Sequence, residues 1–100
     1  MDIGTISMRY AKALIAYAQE EKAEDVLYQE IKTLSRSFSK FPQLRESLDN
    51  PILKAKDKLE LISVAAVGNA EPSAVFVRFI KLVIKQRREI YLQFMCLTYI

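Results

Sequence analysis

The chain has 100 residues, a formal net charge of +3 and an apolar content of 51%. That apolar content argues against an intrinsically disordered protein, and 100 residues are enough for one domain with a single modest core. Two Gly and three Pro are too few for the many tight turns of an all-β fold, and without any His the chain lacks the commonest general base and metal ligand. We therefore predict a helical protein that is not an enzyme and has no catalytic residue, no cofactor and no metal site.

The first predicted helix, from about Ser7 to Glu20, is too apolar for an ordinary surface helix. At 100° per residue, its apolar side chains form two adjacent stripes. One stripe consists of Ile6, Tyr10, Ala13 and Tyr17, and the other consists of Ala11, Ile15 and Ala18, with Leu14 between them. The apolar arc covers about 200°, whereas a helix with one buried face needs about 100°. One face can pack in the core, and the other requires a second partner.

The next three predicted helices have narrower apolar patterns. The second runs from about Glu24 to Lys40, and its stripe indicates packing on one side only. That stripe consists of Leu27, Ile31, Leu34, Phe38 and Phe41. Pro42 suits the first turn of a short third helix that ends before Pro51, and the fourth runs from about Ala55 to Val67, before Gly68. The inward-facing residues of the third and fourth helices are predicted to be Leu44, Leu48, Leu59, Ile62 and Ala66.

The fifth predicted helix repeats the wide apolar arc of the first. It is expected to have Pro72 in its first turn and to reach about Gln86. Its two apolar stripes consist of Val75, Phe79 and Leu82, and of Phe76, Ile80 and Val83. A sixth helix follows Arg87-Arg88, with Ile90, Phe94 and Leu97 on one stripe. The predicted fold is a compact, all-α six-helix bundle, in which residues 1–100 form a single helical domain.

The single cysteine and the longest apolar run are compatible with an ordinary globular domain. Cys96 has no partner for an intramolecular disulfide, so we predict a small buried side chain in a protein of a reducing compartment. It lies in the apolar run Ile90–Ile100, which is about half the roughly 20 residues that a membrane-spanning helix needs. Because this run ends without a polar cap, we expect either a fragment of a longer chain or a terminus that docks elsewhere.

A basic face on the fifth helix leaves a nucleic-acid function open. The residues Arg78, Lys81, Lys85 and Arg88 share this face, and the sequence pI is about 9.1. Val64–Gly68 followed by Ala74 and Val77 roughly fits the spacing of a helix-turn-helix motif. Glu71, however, would stand where the recognition helix enters the DNA groove, and an ordinary solvated face explains the basic stripe better. A DNA-binding module is therefore the alternative, beside an unassigned helical interaction domain.

Three segments, at residues 8–14, 41–51 and 79–89, resemble the N-terminal domain of the ATP synthase delta subunit, the oligomycin-sensitivity-conferring protein of mitochondria. Met8–Leu14 is similar to an Arg-x-Tyr-Ala-x-Ala-Leu signature of the family's first helix, although the Arg here directly precedes the Tyr. Phe41–Leu44 with Leu48–Pro51 resembles the family's short third helix and its Asn-Pro exit. Phe79–Glu89 resembles the end of the fifth helix, where the family usually has Asn-Gly-Arg and this chain has Gln86-Arg87-Arg88. The segments occur in family order and span nearly the whole chain.

This resemblance implies a non-catalytic component of the peripheral stalk of a rotary ATP synthase, on the cytoplasmic face of a bacterial plasma membrane. Helices one and five of such a domain form a groove that holds the amphipathic N-terminal helix of an alpha subunit. A further C-terminal part contacts the b subunits, so this chain would be the N-terminal domain of a longer protein. Through these two contacts the domain would link the catalytic head to the stator. The resemblance implies no nucleic-acid partner and no direct membrane insertion.

Eight residues are candidates for the partner-binding groove: Ile6, Tyr10, Ala13, Leu14, Tyr17, Val75, Phe79 and Leu82. Tyr10 and Ala13 match groove positions of the family, and the other six are assigned from helical phase. The wide apolar arcs indicate the same two helices without the resemblance. The alternative is that all of these side chains belong to the core, and it applies most readily to Leu14.

Overall fold

Residues 3–99 of the computed structural model form six α-helices and one short 3-10 helix, without a β-strand among them. In chain order the elements are α1 (Ile3–Glu20), α2 (Glu24–Lys40), α3 (Pro42–Leu48), α4 (Ala55–Val67), α5 (Ala74–Lys85), the 3-10 helix (Glu89–Tyr91) and α6 (Leu92–Tyr99). The radius of gyration is 12.4 Å, close to the roughly 13 Å of a compact 100-residue domain. The predicted all-α six-helix bundle is confirmed. Ile100, the end of the predicted apolar run, lies outside the described residues.

The central element of the bundle is α2, which contacts each of the other five helices. Its side chains Leu27, Ile31 and Leu34 are fully buried, as the narrow stripe predicts. They belong to one core cluster that includes side chains from every other helix. Around this centre, α1 packs mainly along α6 and α5 packs mainly on α4. The direct contact between α1 and α5 is therefore small, and it leaves part of both helices uncovered.

A carboxylate from α2 fixes the start of α5. The Ser73 hydroxyl oxygen accepts a hydrogen bond from the Phe76 amide at 3.2 Å, which makes Ser73 the N-cap. The same hydroxyl and the Ser73 amide donate to the buried carboxylate of Glu30 at 2.6 and 2.7 Å. The prediction that Pro72 lies in the first turn is wrong, because the stronger capping residue follows it and the helix begins after the cap.

Three helices are followed, within two residues of their last residue, by a residue with positive φ. Gly68 follows α4 with a φ of 64°, which confirms the predicted stop. After α1 and α5 the left-handed residues are Lys22 and Arg87, with φ values of 55° and 56°. At the end of α5 the Arg88 amide donates to the Val83 carbonyl at 2.9 Å, as in a Schellman cap. Arg87 thus adopts the conformation for which the resembled family usually supplies glycine.

The helix α1 begins at Ile3, before the predicted start at Ser7. Ser7 therefore lies inside the helix, and its side chain is buried, with 1% of the residue exposed. Gly4 lowers helix propensity by about 1 kcal/mol relative to Ala, which is too little to end a helix that packs against α6.

Two predicted core stripes are partly wrong. Phe41 is 56% exposed, because α2 ends at Lys40 and the backbone of Phe41, with a φ of −127°, is no longer helical. The predicted stripe of the sixth helix consisted of Ile90, Phe94 and Leu97. The buried residues of α6 are instead Leu92, Met95 and Cys96. Both sides of α6 are apolar, so hydrophobic periodicity alone could not choose between them.

Candidate functional site

A groove of about 260 Å³ lies between α1 and α5. Its lining from α1 consists of Tyr10, Ala13, Leu14 and Tyr17, and its lining from α5 consists of Arg78, Phe79 and Leu82. The structure therefore brings together all the predicted groove residues except Ile6 and Val75. Those two are 2% and 6% exposed and belong to the core cluster. The core alternative thus applies to Ile6 and Val75, and we leave them out of the groove.

The groove has a buried floor and an open rim. Leu14 and Phe79 are 3% and 6% exposed, so these side chains form the floor and also belong to the core. Tyr10 and Tyr17 are half-buried, and Leu82 is 46% exposed on the opposite wall. Ala13 is exposed between the two tyrosines, and its small side chain leaves room for another backbone to approach. The arrangement is an apolar channel with aromatic walls, which suits the apolar face of a helix.

One polar contact joins the two walls of the groove. Arg78 Nη1 donates a hydrogen bond to Tyr17 Oη at 2.7 Å. This bond raises the pKa of Arg78 above its ordinary value, and the guanidinium remains charged. The sequence patterns assigned Arg78 to a solvated basic face and did not place it in the groove. Its spacing of four residues from Leu82 is the signal that could have done so, because residues four apart share one side of a helix.

A buried ion pair joins α4 to the 3-10 helix, and the sequence patterns did not reveal it. Lys58 Nζ lies 3.1 Å from Glu89 Oε1, and the two side chains are only 10% and 9% exposed. Lys58 is spaced four residues from the buried Ile62, which could have indicated that it points inward. Removing one partner of such a pair is strongly destabilising, since the other charge is left buried. We assign the pair a role in stability.

Three further features of the chain concern its cysteine, its apolar segments and its potential metal ligands. Cys96 is 1% exposed, and burial raises the pKa of its thiol to about 12, so the predicted small buried side chain is confirmed. Within residues 3–99 no helix is long and apolar enough to cross a membrane. In the same part of the chain, no three His, Cys, Asp or Glu side chains form a group that could hold a metal ion.

The helix-turn-helix alternative has less support in the structure. Residues 68–73 connect α4 to α5, whereas the turn of a helix-turn-helix motif has about three or four residues. Phe76, Ile80 and Val83 place one side of α5 in the core. Lys81 and Lys85 are exposed on the other side, as expected for a solvated helix face.

Comparisons with known proteins point to a single family. The family model of the ATP synthase delta (OSCP) subunit matches residues 6–100. The ATP synthase subunit delta of Bacteroides thetaiotaomicron is 60% identical over 100 residues, which cover 100% of this chain and 54% of the relative. The protein of that name from Bacteroides fragilis is 54% identical over the same shares of both chains.

A more distant relative is the ATP synthase subunit delta of Carboxydothermus hydrogenoformans, 31% identical over 87% of this chain and 48% of its own. The chain thus spans about half the length of the curated relatives it matches. No solved structure matches the chain. A family match over nearly all residues, together with close relatives that carry one name, shows that the chain belongs to the ATP synthase delta (OSCP) subunit family.

Proposed function

We propose that the chain is a non-catalytic peripheral-stalk domain of a rotary ATP synthase, and that its α1–α5 groove binds the amphipathic N-terminal helix of an alpha subunit. In this role it links the catalytic head to the stator, and a part of the protein outside this chain contacts the b subunits. These residues would form the N-terminal domain of a delta subunit, at the cytoplasmic face of a bacterial plasma membrane. Family membership supports the assembly, and the groove supports the partner.

The observation that carries this proposal is the open apolar channel between α1 and α5. Leu82 is 46% exposed beside the half-buried Tyr10 and Tyr17, above a floor of buried side chains. Isolated exposed leucines are common on protein surfaces, whereas apolar side chains gathered in one concavity mark an interaction site. A docked helix would cover them with apolar residues at i, i+3, i+4 and i+7.

Calorimetry with a peptide tests this function directly. The probe is a synthetic peptide of about 20 residues, roughly five helical turns, from the start of the alpha subunit encoded in the same genome. We expect binding with a negative heat-capacity change, because the groove buries apolar surface. A peptide of the same composition, scrambled so that no apolar face forms, is the control and should give no heat. Equal heats from both peptides, or none from either, would contradict the proposal.

The same chain should bind duplex DNA only weakly. Any such binding would come from exposed basic residues such as Lys81 and Lys85 and should disappear steeply as salt is added. A fluorescence titration at several salt concentrations measures this dependence. Tight, sequence-selective DNA binding without a response to the peptide would favour the DNA-binding alternative.

A further inference from the structure

We propose that Arg78 determines which helix the groove accepts: it leaves Tyr17 when a helix docks and pairs with a carboxylate on that helix. The inference rests on the proposed function of the groove and adds a chemical requirement to the partner. The partner is then an amphipathic helix with an Asp or Glu at the edge of its apolar face. A helix with an uncharged or basic residue at that place should bind more weakly.

Arg78 lies where a helix docked in the groove would meet it. It is the one charged residue among those that line the groove within residues 3–99, and the others are apolar or tyrosine. It lies four residues before Leu82, on the same side of α5 as the wall that a partner would contact. A helix that covers Leu82 and Tyr17 would therefore also cover Arg78 or lie directly beside it.

The guanidinium of Arg78 is incompletely paired. Among residues 3–99 the Arg78 guanidinium makes one hydrogen bond, to the Tyr17 hydroxyl, although a guanidinium has five N–H donors. Within the described part of the chain, no carboxylate lies within ion-pair distance of Arg78. Among the causes that raise the pKa of Arg78, the hydrogen bond to Tyr17 contributes most and the negative charge of Glu21 contributes least. The guanidinium thus has donors available for a planar, bidentate acceptor such as a carboxylate.

Covering the unpaired charge of Arg78 with a docked helix would cost free energy. In the free chain Arg78 is exposed and water solvates it. A docked helix would remove part of this water, and a charge that loses water without gaining a partner opposes binding. A carboxylate offsets this cost better than the Tyr17 hydroxyl, because it carries the opposite charge and can accept two parallel N–H bonds from the guanidinium. The exposed Lys81 and Lys85 on the same helix add to the positive potential on this side.

A double-mutant cycle tests the proposed pairing. The chain variants are Arg78→Gln and, as the matched control on α5, Lys81→Gln, which removes the same charge outside the groove lining. The peptides are the alpha-subunit peptide and versions in which each Asp or Glu is replaced singly by its amide. At low salt we expect Arg78→Gln to weaken binding about fivefold and Lys81→Gln less than twofold. One amide substitution should weaken binding to the unchanged chain by the same factor and should not weaken binding to Arg78→Gln further.

Tyr17→Phe separates direct pairing from a structural role of the hydrogen bond. If Arg78 acts on the partner, removing the tyrosine hydroxyl frees the guanidinium while the ring stays in the groove, and binding should become tighter, by up to about threefold. Binding weakened as much as by Arg78→Gln would mean that Arg78 only positions Tyr17, which overturns the inference. Melting curves of all three variants should match that of the unchanged chain, since the altered groups are exposed or half-buried.

The outcomes distinguish this inference from the proposed function. No binding of the peptide to the unchanged chain overturns both. Normal binding with equal affinities for Arg78→Gln and Lys81→Gln overturns the role of Arg78 and leaves the groove as the binding site. The role of Arg78 is also overturned if no peptide carboxylate couples to Arg78, or if a peptide without acidic residues binds tightly. Either result leaves the groove as the binding site.

Discussion

The two apolar faces of α1 and α5 look alike in the sequence and differ in the structure. Each helix has a closed face, which packs in the core and contains Ala18 in α1 and Ile80 in α5. These two residues have no exposed surface, because α6 covers α1 and α4 covers α5. On the open face, Ala13 is exposed and Leu82 is 46% exposed at the groove. The width of an apolar arc thus shows that a helix has a second apolar face. Which of the two faces the fold itself covers depends on how the neighbouring helices pack.

The largest difference between the faces should appear when the same charged residue replaces alanine on each. Ala18→Arg places a cation in the closed face and should destabilise the fold by about 4 kcal/mol or more. Ala13→Arg should change the free energy of unfolding by about 0.5 kcal/mol or less, because the guanidinium can reach water from the open groove. Thermal or urea unfolding measures both. A large loss of stability in Ala13→Arg would move this residue into the core.

The Ala13→Arg change should affect binding strongly, although it should hardly affect stability. The Ala13→Arg side chain would occupy the approach of the partner helix, so affinity for the alpha-subunit peptide should fall by about 2 kcal/mol or more. The titration is made at a temperature where the variant is folded. An unchanged melting curve with unchanged affinity would mean that the partner binds elsewhere on the chain.

A matched pair of truncations on α5 should show a smaller contrast. Ile80→Ala removes a fully buried side chain and should cost about 3 kcal/mol of folding free energy. Leu82→Ala, two residues later, should cost about 1 kcal/mol or less, since nearly half of this leucine is already in water. Leu82→Ala should instead weaken peptide binding. Equal losses of stability would contradict the distinction between a closed and an open face.

The last effect is absent at neutral pH and concerns the buried side of α6, where alkaline pH should report on burial. Burial raises the pKa of Cys96 from 9.0 to about 12, so the unfolded chain loses the thiol proton before the folded chain does. The contribution of Cys96 to stability is therefore complete below about pH 9 and declines as the pH rises from 9 towards 12. Urea unfolding at several pH values measures this decline, and Cys96→Ala should remove part of it.

Tyr99 provides the internal control for that experiment. Burial also raises its pKa, with a smaller contribution from the negative charge of Glu24, so stability should still fall at alkaline pH in Cys96→Ala. An identical pH dependence in the variant and the unchanged chain would show that Cys96 is accessible in the folded state. Thiol-specific labelling at pH 8 should then be fast, whereas we expect it to be slow until the chain unfolds.

Most of the fold could be predicted from periodicity and helix-stop residues. The boundaries of α2, α3 and α4 follow from Pro42, Gly68 and the narrow stripe of α2. The phase of α6 could not be predicted, because Leu92 and Leu97 lie on opposite faces that are both apolar, and packing against α1 selects the face that contains Leu92. The buried side of a helix can therefore be predicted when the helix has one apolar stripe. When it has two, the neighbouring helices determine which stripe is buried.

The groove could be predicted in outline but not in its chemistry. Tyr17 and Leu82, assigned from helical phase, line the groove together with Tyr10, which was assigned from the family resemblance. Helical phase could not exclude Ile6 and Val75, whose burial depends on contacts distant in sequence. A charge pattern on one helix also could not predict the hydrogen bond between Arg78 and Tyr17, residues 61 positions apart.

The hydrogen bonds between Glu30 and Ser73 have a consequence for the order in which the chain folds. They join residues separated by 43 positions, so the cap of α5 is incomplete until α2 has docked. A helix as short as α5, with 12 residues, is marginal by itself in water. We therefore expect the amides of its first turn to resist hydrogen exchange only in molecules whose α2 is in place. One wall of the groove would then form late, and a nascent or partly unfolded chain would offer its partner no surface to bind.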